Sequence, residues 1–420
     1  MQEERHPPFT AEQAKAWREM IPTPFYVYDE AGIRACATDL YKAFSWNKGF
    51  KEYFAVKATP TPAILRLLAS LGCGVDCASL TELMLSEKCG IVGKNIMFSS
   101  NETRREEYRE AVRLGAIVNL DDLTQIENLR AACGTLPDTV CCRYNPGKFQ
   151  ITNDIIGHLA DTKFGMPEEQ LIEAFRILRD GGVRHFGIHA MLASCSLEAT
   201  YYPKLARELF SLALRVREQT GVAVEFIDLS GGIGIPYRPG EQAVDIFAVG
   251  AGVKEAYDEI LLQNGMEVSI FTELGRYMTG PYGYLLTSVI GKKHTYKEYV
   301  GVDATACDLM RPAMYGAYHP ITVLGREDEE KTLVCDVVGS LCENNDKFAV
   351  DRPLPPTELG DMLAIGAAGA HGRSMGYNYN GKLRCAEFLL KSDGSLVKIR
   401  RAETPEDYFA TLDIDPAFGI

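Results

Sequence analysis

The stretch YFAVKATPTPAILRLLASLGCGVDCASLTEL, Tyr53–Leu83, decides the fold. It opens with an apolar run, Tyr53–Ala58. Apolar residues at helical spacing follow at Pro62–Leu71, then a second short run at Gly74–Ser79. Ser79 and Glu82 stand at the spacing of a helix-capping box. Strand, helix, strand, helix is the start of a parallel sheet. The rhythm continues through Asn95–Ser99, Ala116–Leu120, Thr139–Tyr144, His185–Met191, Val224–Ser230 and Val268–Leu274, with a long amphipathic stretch at Tyr201–Thr220. Eight such runs fit a closed βα barrel of ordinary size; the count favours it over an open doubly wound sheet.

Outward from this core the pattern changes. After Gly280 helical periodicity fades, and YGYLLTSVIG, KTLVCDVVG and DMLAIGAAG read as strands broken by Pro- and Gly-rich turns. Near the N-terminus FYVYDE is also strand-like. The expected architecture is α/β: a (βα)8 TIM-type barrel over 41–280, a C-terminal β domain, barrel- or sandwich-like, over 281–420, and an N-terminal segment, 1–40, joining that β domain.

The 420-residue chain is 46% hydrophobic and 24% charged, the profile of a folded globular protein. A net charge of −13 argues against nucleic acid as a main partner, which needs clustered Lys and Arg. The twelve cysteines show no CxxC pair and no zinc-like Cys/His spacing, so no metal site is expected. They read as reduced thiols of a cytoplasmic protein. The N-terminus lacks the apolar core of a signal peptide, and no apolar run is long enough to cross a membrane.

In a barrel, reactive groups sit at the C-terminal ends of strands. Lys57 lies there, after Phe54, Ala55 and Val56. Apolar neighbours can desolvate a lysine, lower its pKa and make a Schiff base feasible; a surface lysine at a strand end is an equally good reading of this stretch alone. Ser230-Gly231-Gly232-Ile233-Gly234 follows the seventh run, where barrels often bind phosphate, although such a loop can be simply a tight turn. Glu273 and Arg276 close the eighth run. The carboxylate can keep a ring nitrogen protonated and the guanidinium can bind an anion, or the two can form a structural ion pair. His189 and Met191, two apart, are expected on one face of the sixth run. Cys342 beside Glu343 suits proton donation and ammonium binding, and Arg311 with Tyr315 can bind a carboxylate. Taken singly, each of these is more often structural.

Taken together, FAVKATP, VDCAS-x-TE, CRYNPG, TKFG, GGIG, ELGR, DLMRPAMY and GSLCENND, running to YNYNGKLRCAEFLL, resemble the alanine-racemase-fold decarboxylases that use pyridoxal 5'-phosphate (PLP). The nearest members are the diaminopimelate decarboxylases. The resemblance covers nearly the whole chain and implies the following. Lys57 carries PLP, and Gly231, Gly232 and Gly234 hold its phosphate. Glu273 faces the pyridine nitrogen, with Gly275 and Ser194 among the cofactor contacts. Arg276 contacts phosphate or substrate, and Arg311 and Tyr315 bind substrate. Cys342, the proton donor, and Glu343, which reads the distal amino group, enter the site from the partner subunit of a homodimer. The implied reaction is decarboxylation of meso-diaminopimelate to L-lysine.

Two departures stand out. The family's His-x-His-x-Gly-Ser is here His189-Ala-Met191-Leu-Ala-Ser194, which puts Met191 where an imidazole stacks on the cofactor and leaves His189 as the candidate ring contact. The family's Gly-Ala-Tyr is Gly369-Ala370-His371, so His371 or Tyr377 takes the place of a phosphate-binding tyrosine. Rival readings are an ornithine, arginine or carboxypolyamine decarboxylase, an amino-acid racemase, and a non-catalytic regulator that keeps the fold.

Overall fold

The computed structural model describes residues 6–149 and 161–414. The chain forms two compact units. One takes residues up to Gly32, the short excursion Tyr237–Glu241, and residues from Thr279 onward. The other takes Ile33–Pro236 and Gln242–Met278. The chain's first strand, β1 (Phe25–Asp29), belongs to the former.

The second unit is a closed parallel barrel of eight strands: β2 (Lys51–Ala55), β3 (Gly74–Cys77), β4 (Ile96–Ser99), β5 (Ile117–Leu120), β6 (Thr139–Arg143), β7 (His185–His189), β8 (Val224–Asp228) and β9 (Ser269–Thr272). Pairing of Lys51 with Phe271 and Glu52 with Thr272 closes it. Several strands end earlier than the apolar runs suggest. β2 stops at Ala55, and Val56–Ala58 is a 3-10 turn in which Val56 is still fully buried. Burial, not ladder pairing, sets the length of an apolar run. β7 likewise stops at His189, so His189 and Met191 do not share a strand face by alternation. Half of the expected capping box forms. Ser79 Oγ accepts from Glu82 N, while Glu82 Oε2 accepts from Ala78 N and not from Ser79.

The barrel interior is packed, as its parallel strands require. Tyr53, Met97, Ile117, Cys141, Phe226 and Phe271 form one buried layer, with Phe226 and Phe271 stacked at 4.9 Å. Gly187 on β7 makes room for it: a Cβ there would lie 2.0 Å from the Phe226 ring.

The other unit is a nine-stranded mixed sheet. After β1 its strands are β10 (Gly283–His294), β11 (Glu298–Val302), β12 (Ile321–Val323), β13 (Leu333–Val338), β14 (Lys347–Leu354), β15 (Met362–Ile365), β16 (Ala386–Leu390) and β17 (Leu396–Arg400). β1 is central, antiparallel to β10 and parallel to β16. The N-terminal FYVYD strand is therefore part of this sheet's core, where Phe25 and Val27 pack with Phe9, Trp17, Tyr284 and Phe388. Among the described residues no helix is long and apolar enough to cross a membrane, and every cysteine is a free thiol.

Candidate active site

The barrel strands end on polar residues. Asp76, Ser99, Asn119, Arg143, His189 and Asp228 all stand at or next to the ends of β3 to β8, and Glu273 directly follows β9. Alternation along each strand, with apolar residues below, makes these ends the one polar layer of the barrel interior.

Lys57 projects from the turn after β2, and its Nζ donates to Asp76 Oδ2 at 2.9 Å. Asp76 is buried, yet the lysine side chain is 54% exposed, so the amine is both anchored and reachable. Burial acts to lower the lysine's pKa, but Asp76 and then Glu273 outweigh it and raise it. Desolvation by apolar neighbours, one of the two readings this stretch allowed, is thus outweighed. Those neighbours lie along the backbone, whereas the side chain ends among carboxylates. Burial in turn raises the Asp76 carboxyl, against the pull of Lys57.

Glu273 is held by three side-chain donors. Its Oε2 accepts from His189 Nε2 at 3.1 Å and from Ser230 Oγ at 2.9 Å. Its Oε1 accepts from Ser99 Oγ at 3.1 Å, and Ser99 is itself held by Asn119 Nδ2. Burial would raise this carboxyl. His189 foremost, then Lys57 and Ser230, reverse that and hold it below the usual carboxylate range. Since an ionised carboxylate only accepts, His189 carries its hydrogen on Nε2. Neighbouring Asp228 goes the other way: burial first, then the charge of Glu273, raises it well above normal. The two buried carboxyls are thus pushed in opposite directions, Glu273 down and Asp228 up.

The glycines after β8 are required by space. A Cβ on Gly231 would lie 2.8 Å from Glu273 O, and one on Gly234 2.6 Å from Cys195 C. At Gly232, with φ +117°, it would meet the Tyr201 ring at 2.5 Å. Ser196 N donates to Gly232 O and Gly234 N to Ser196 O, which zips this loop to the one carrying Ser194. Gly275 abuts Ala58, where a Cβ on Gly275 would lie 2.8 Å from the Ala58 Cβ, and half-buried Arg276 opens the turn that follows.

Among the described residues seven buried side-chain polar atoms lack a protein partner, and four belong to this layer: Asp76 Oδ1, Asn119 Oδ1, His189 Nδ1 and Asp228 Oδ2. A reachable amine, an ionised carboxylate with fixed donors, a glycine-rich loop and unspent polar atoms fit a phosphorylated aromatic aldehyde bound through Lys57.

The remaining expected residues lie in the sheet unit. Arg311 is buried and donates from Nη1 to Tyr237 OH at 2.7 Å. His319 gives its Nδ1 hydrogen to Gly366 O, which leaves Nε2 as an acceptor 3.4 Å from Arg311 Nη1. Tyr315, on the same short helix as Arg311, is 57% exposed. Ala313 of that helix and Tyr377 both pack against the cluster of Ala306, Cys307 and Leu341, which brings Tyr377 beside the Gly339–Asp346 loop. On that loop Cys342 is exposed, with its N–H on Asn380 Oδ1, and Glu343 Oε1 accepts from Asn345 N. His371 adopts a left-handed backbone, φ +54°.

Sequence reasoning missed Asp76, Ser99, Asn119, Asp228 and the side chain of Ser230. The signal was present in GVDC, IMFS, IVNL and FIDLS, where a polar residue closes or interrupts an apolar run at a strand end.

Residues 31–280 match the family model described as pyridoxal-dependent decarboxylase, pyridoxal binding domain. Protein TabA of Pseudomonas amygdali pv. tabaci is 42% identical, covering 94% of this chain and 92% of that protein. Diaminopimelate decarboxylase of Methanothermobacter thermautotrophicus is 37% identical, covering 92% and 90%. Among solved structures, diaminopimelate decarboxylase from M. jannaschii in co-complex with L-lysine superposes with a TM-score of 0.89 at 30% identity, covering 96% of this chain and 95% of that one.

Proposed function

The chain belongs to the pyridoxal-dependent decarboxylases, and from that membership we propose that it converts meso-diaminopimelate to L-lysine and carbon dioxide. The observation that carries this reading is the pairing of a reachable Lys57 with a triply held Glu273 in one barrel layer. The lysine found in the related structure agrees with the product.

PLP would be held by Lys57 through its amine, with its phosphate against Gly231, Gly232 and Gly234. His189, Ser194, Gly275, His371 and Tyr377 would be further contacts, and Glu273 would stand towards the ring nitrogen. When bound, PLP supplies an electron sink for the pair left behind as the carboxylate departs. His189 keeps Glu273 in place from its edge. Arg276, Arg311 and Tyr315 bind substrate carboxylates, and Glu343 pairs with the distal ammonium. Cys342 Sγ delivers the proton to the carbon that lost the carboxylate. Cys342 and Glu343 act in the site of the partner subunit of a homodimer, in the cytoplasm and without nucleic acid or membrane.

The test is carbon dioxide release by PLP-loaded protein from meso-diaminopimelate, L-ornithine, L-arginine and L-lysine in parallel. Release from diaminopimelate with lysine as product is expected. Release mainly from ornithine or arginine would overturn the substrate, and none from any would overturn the activity.

A further inference from the structure

Ser230 is a non-glycine residue with φ +55°, a left-handed backbone that is strained for an ordinary residue. Such strain persists only where the surroundings fix it. Here they do so from every side. Ser230 N donates to Asp228 Oδ1 at 2.7 Å. Ser230 O accepts from Tyr202 OH at 2.6 Å and from Glu273 N at 2.8 Å. The residue is 2% exposed. The consequence is the aim of one hydroxyl. Ser230 Oγ lies 2.9 Å from Glu273 Oε2 and 3.3 Å from Met191 Sδ. A hydroxyl has one hydrogen, and an ionised carboxylate is a far stronger acceptor than a thioether. The hydrogen goes to Glu273, and Met191 packs against the oxygen.

His189 approaches the same Oε2, and Ser99 approaches Oε1. Without Ser230 the carboxylate keeps one donor on each oxygen and can rotate between them. With it, Oε2 is held from two directions and the carboxylate plane is fixed.

We propose that Ser230 is a positioning residue: its strained backbone aims a hydroxyl that locks Glu273 in the orientation presented to the cofactor ring. The proposal rests on the reading that Glu273 faces the ring nitrogen. It goes beyond that reading in assigning the orientation to a residue whose side chain the glycine loop does not require.

The test compares Ser230→Gly, Ser230→Ala and Glu273→Gln with the parent. Glycine relieves the left-handed strain and alanine keeps it, so an effect common to both belongs to the hydroxyl. Three quantities are read: thermal midpoint of the cofactor-free protein, the pH at which the bound cofactor's absorbance band changes, and kcat with KM. Ser230→Gly is expected to match or exceed the parent's thermal midpoint. Both Ser230 variants are expected to move the absorbance transition by about one pH unit and to lower kcat about tenfold, with KM changed less than about twofold. Parent-like absorbance and kcat in Ser230→Gly, with Glu273→Gln altered in both, would overturn the proposal alone. A Glu273→Gln absorbance transition identical to the parent's would overturn the reading beneath it, and the proposal with it. A loss of kcat in Ser230→Ala that Ser230→Gly restores would assign the effect to backbone strain and also overturn the proposal.

Discussion

At Lys57 two effects oppose each other, and the carboxylates prevail. The amine must lose its proton to attack an aldehyde, yet Asp76 at 2.9 Å and Glu273 beyond it keep the ammonium favoured. Cofactor-free Asp76→Asn is therefore expected to load PLP at a lower pH than the parent, shifted by about one pH unit, as followed by the absorbance of the lysine adduct. An unchanged loading profile would show that Asp76 does not control this amine. Asp228 makes a different case. Its folded pKa is raised, so the folded state holds a proton that the unfolded state releases. Stability is complete below the ordinary carboxyl value, about pH 4, and declines as pH rises from there towards the raised folded value. Asp228→Asn mimics the protonated acid and should flatten that decline in thermal midpoints measured from pH 5 to 8. A slope equal to the parent's would mean that Asp228 is ionised in the fold. Lys57, His189 and Glu273 were legible in sequence because each stands next to a strand end with a chemistry-bearing side chain. The pull of Asp76 on Lys57 was not, because the two stand 19 positions apart and only the pairing of β2 with β3 brings them together.

Among the elements, the barrel strands were legible because parallel strands buried on both faces read as short apolar runs between helices. Their ends were less so: Val56 remains buried after β2 has stopped pairing, and composition reports only the burial. The aromatic layer below the site was invisible to strand counting. It depends on Gly187 of β7 facing Phe226 of β8, 39 positions further along the chain. Gly187→Ala would drive a methyl to 2.0 Å from that ring, so it is expected to destabilise the protein by about 1–3 kcal/mol in urea unfolding. Phe226→Leu removes the obstructing ring edge. The double variant should then be more stable than the sum of the two single losses predicts. Strict additivity would show that the layer relaxes without this contact. In the sheet unit the Gly339–Asp346 loop has an equally local cause. Asp346 accepts from Ala306 N at 2.7 Å and from Leu341 N at 2.8 Å, so one carboxylate pins the segment that displays Cys342 and Glu343.

At the scale of the whole molecule, Lys57 belongs to the barrel unit and Cys342 to the sheet unit. The proposed homodimer joins Lys57 of one subunit to Cys342 of the other. That arrangement has a consequence that a site built within one chain does not share. Lys57→Ala and Cys342→Ala should each be nearly inactive alone. Co-expressed in equal amounts, they form mixed dimers in half of the cases. In each mixed dimer one site pairs an intact Lys57 with an intact Cys342, while the other site lacks both. Activity should then recover to about a quarter of the parent's, because half of the dimers each carry one working site of two. If Lys57 and Cys342 of the same chain work together, every site in a mixed dimer lacks one of them, and mixing restores nothing. Differently tagged variants let the mixed dimer be purified, where the expected value rises to about half. Its lysine-derived absorbance should also fall to about half, since only one subunit retains Lys57, and that reading confirms the composition independently of turnover.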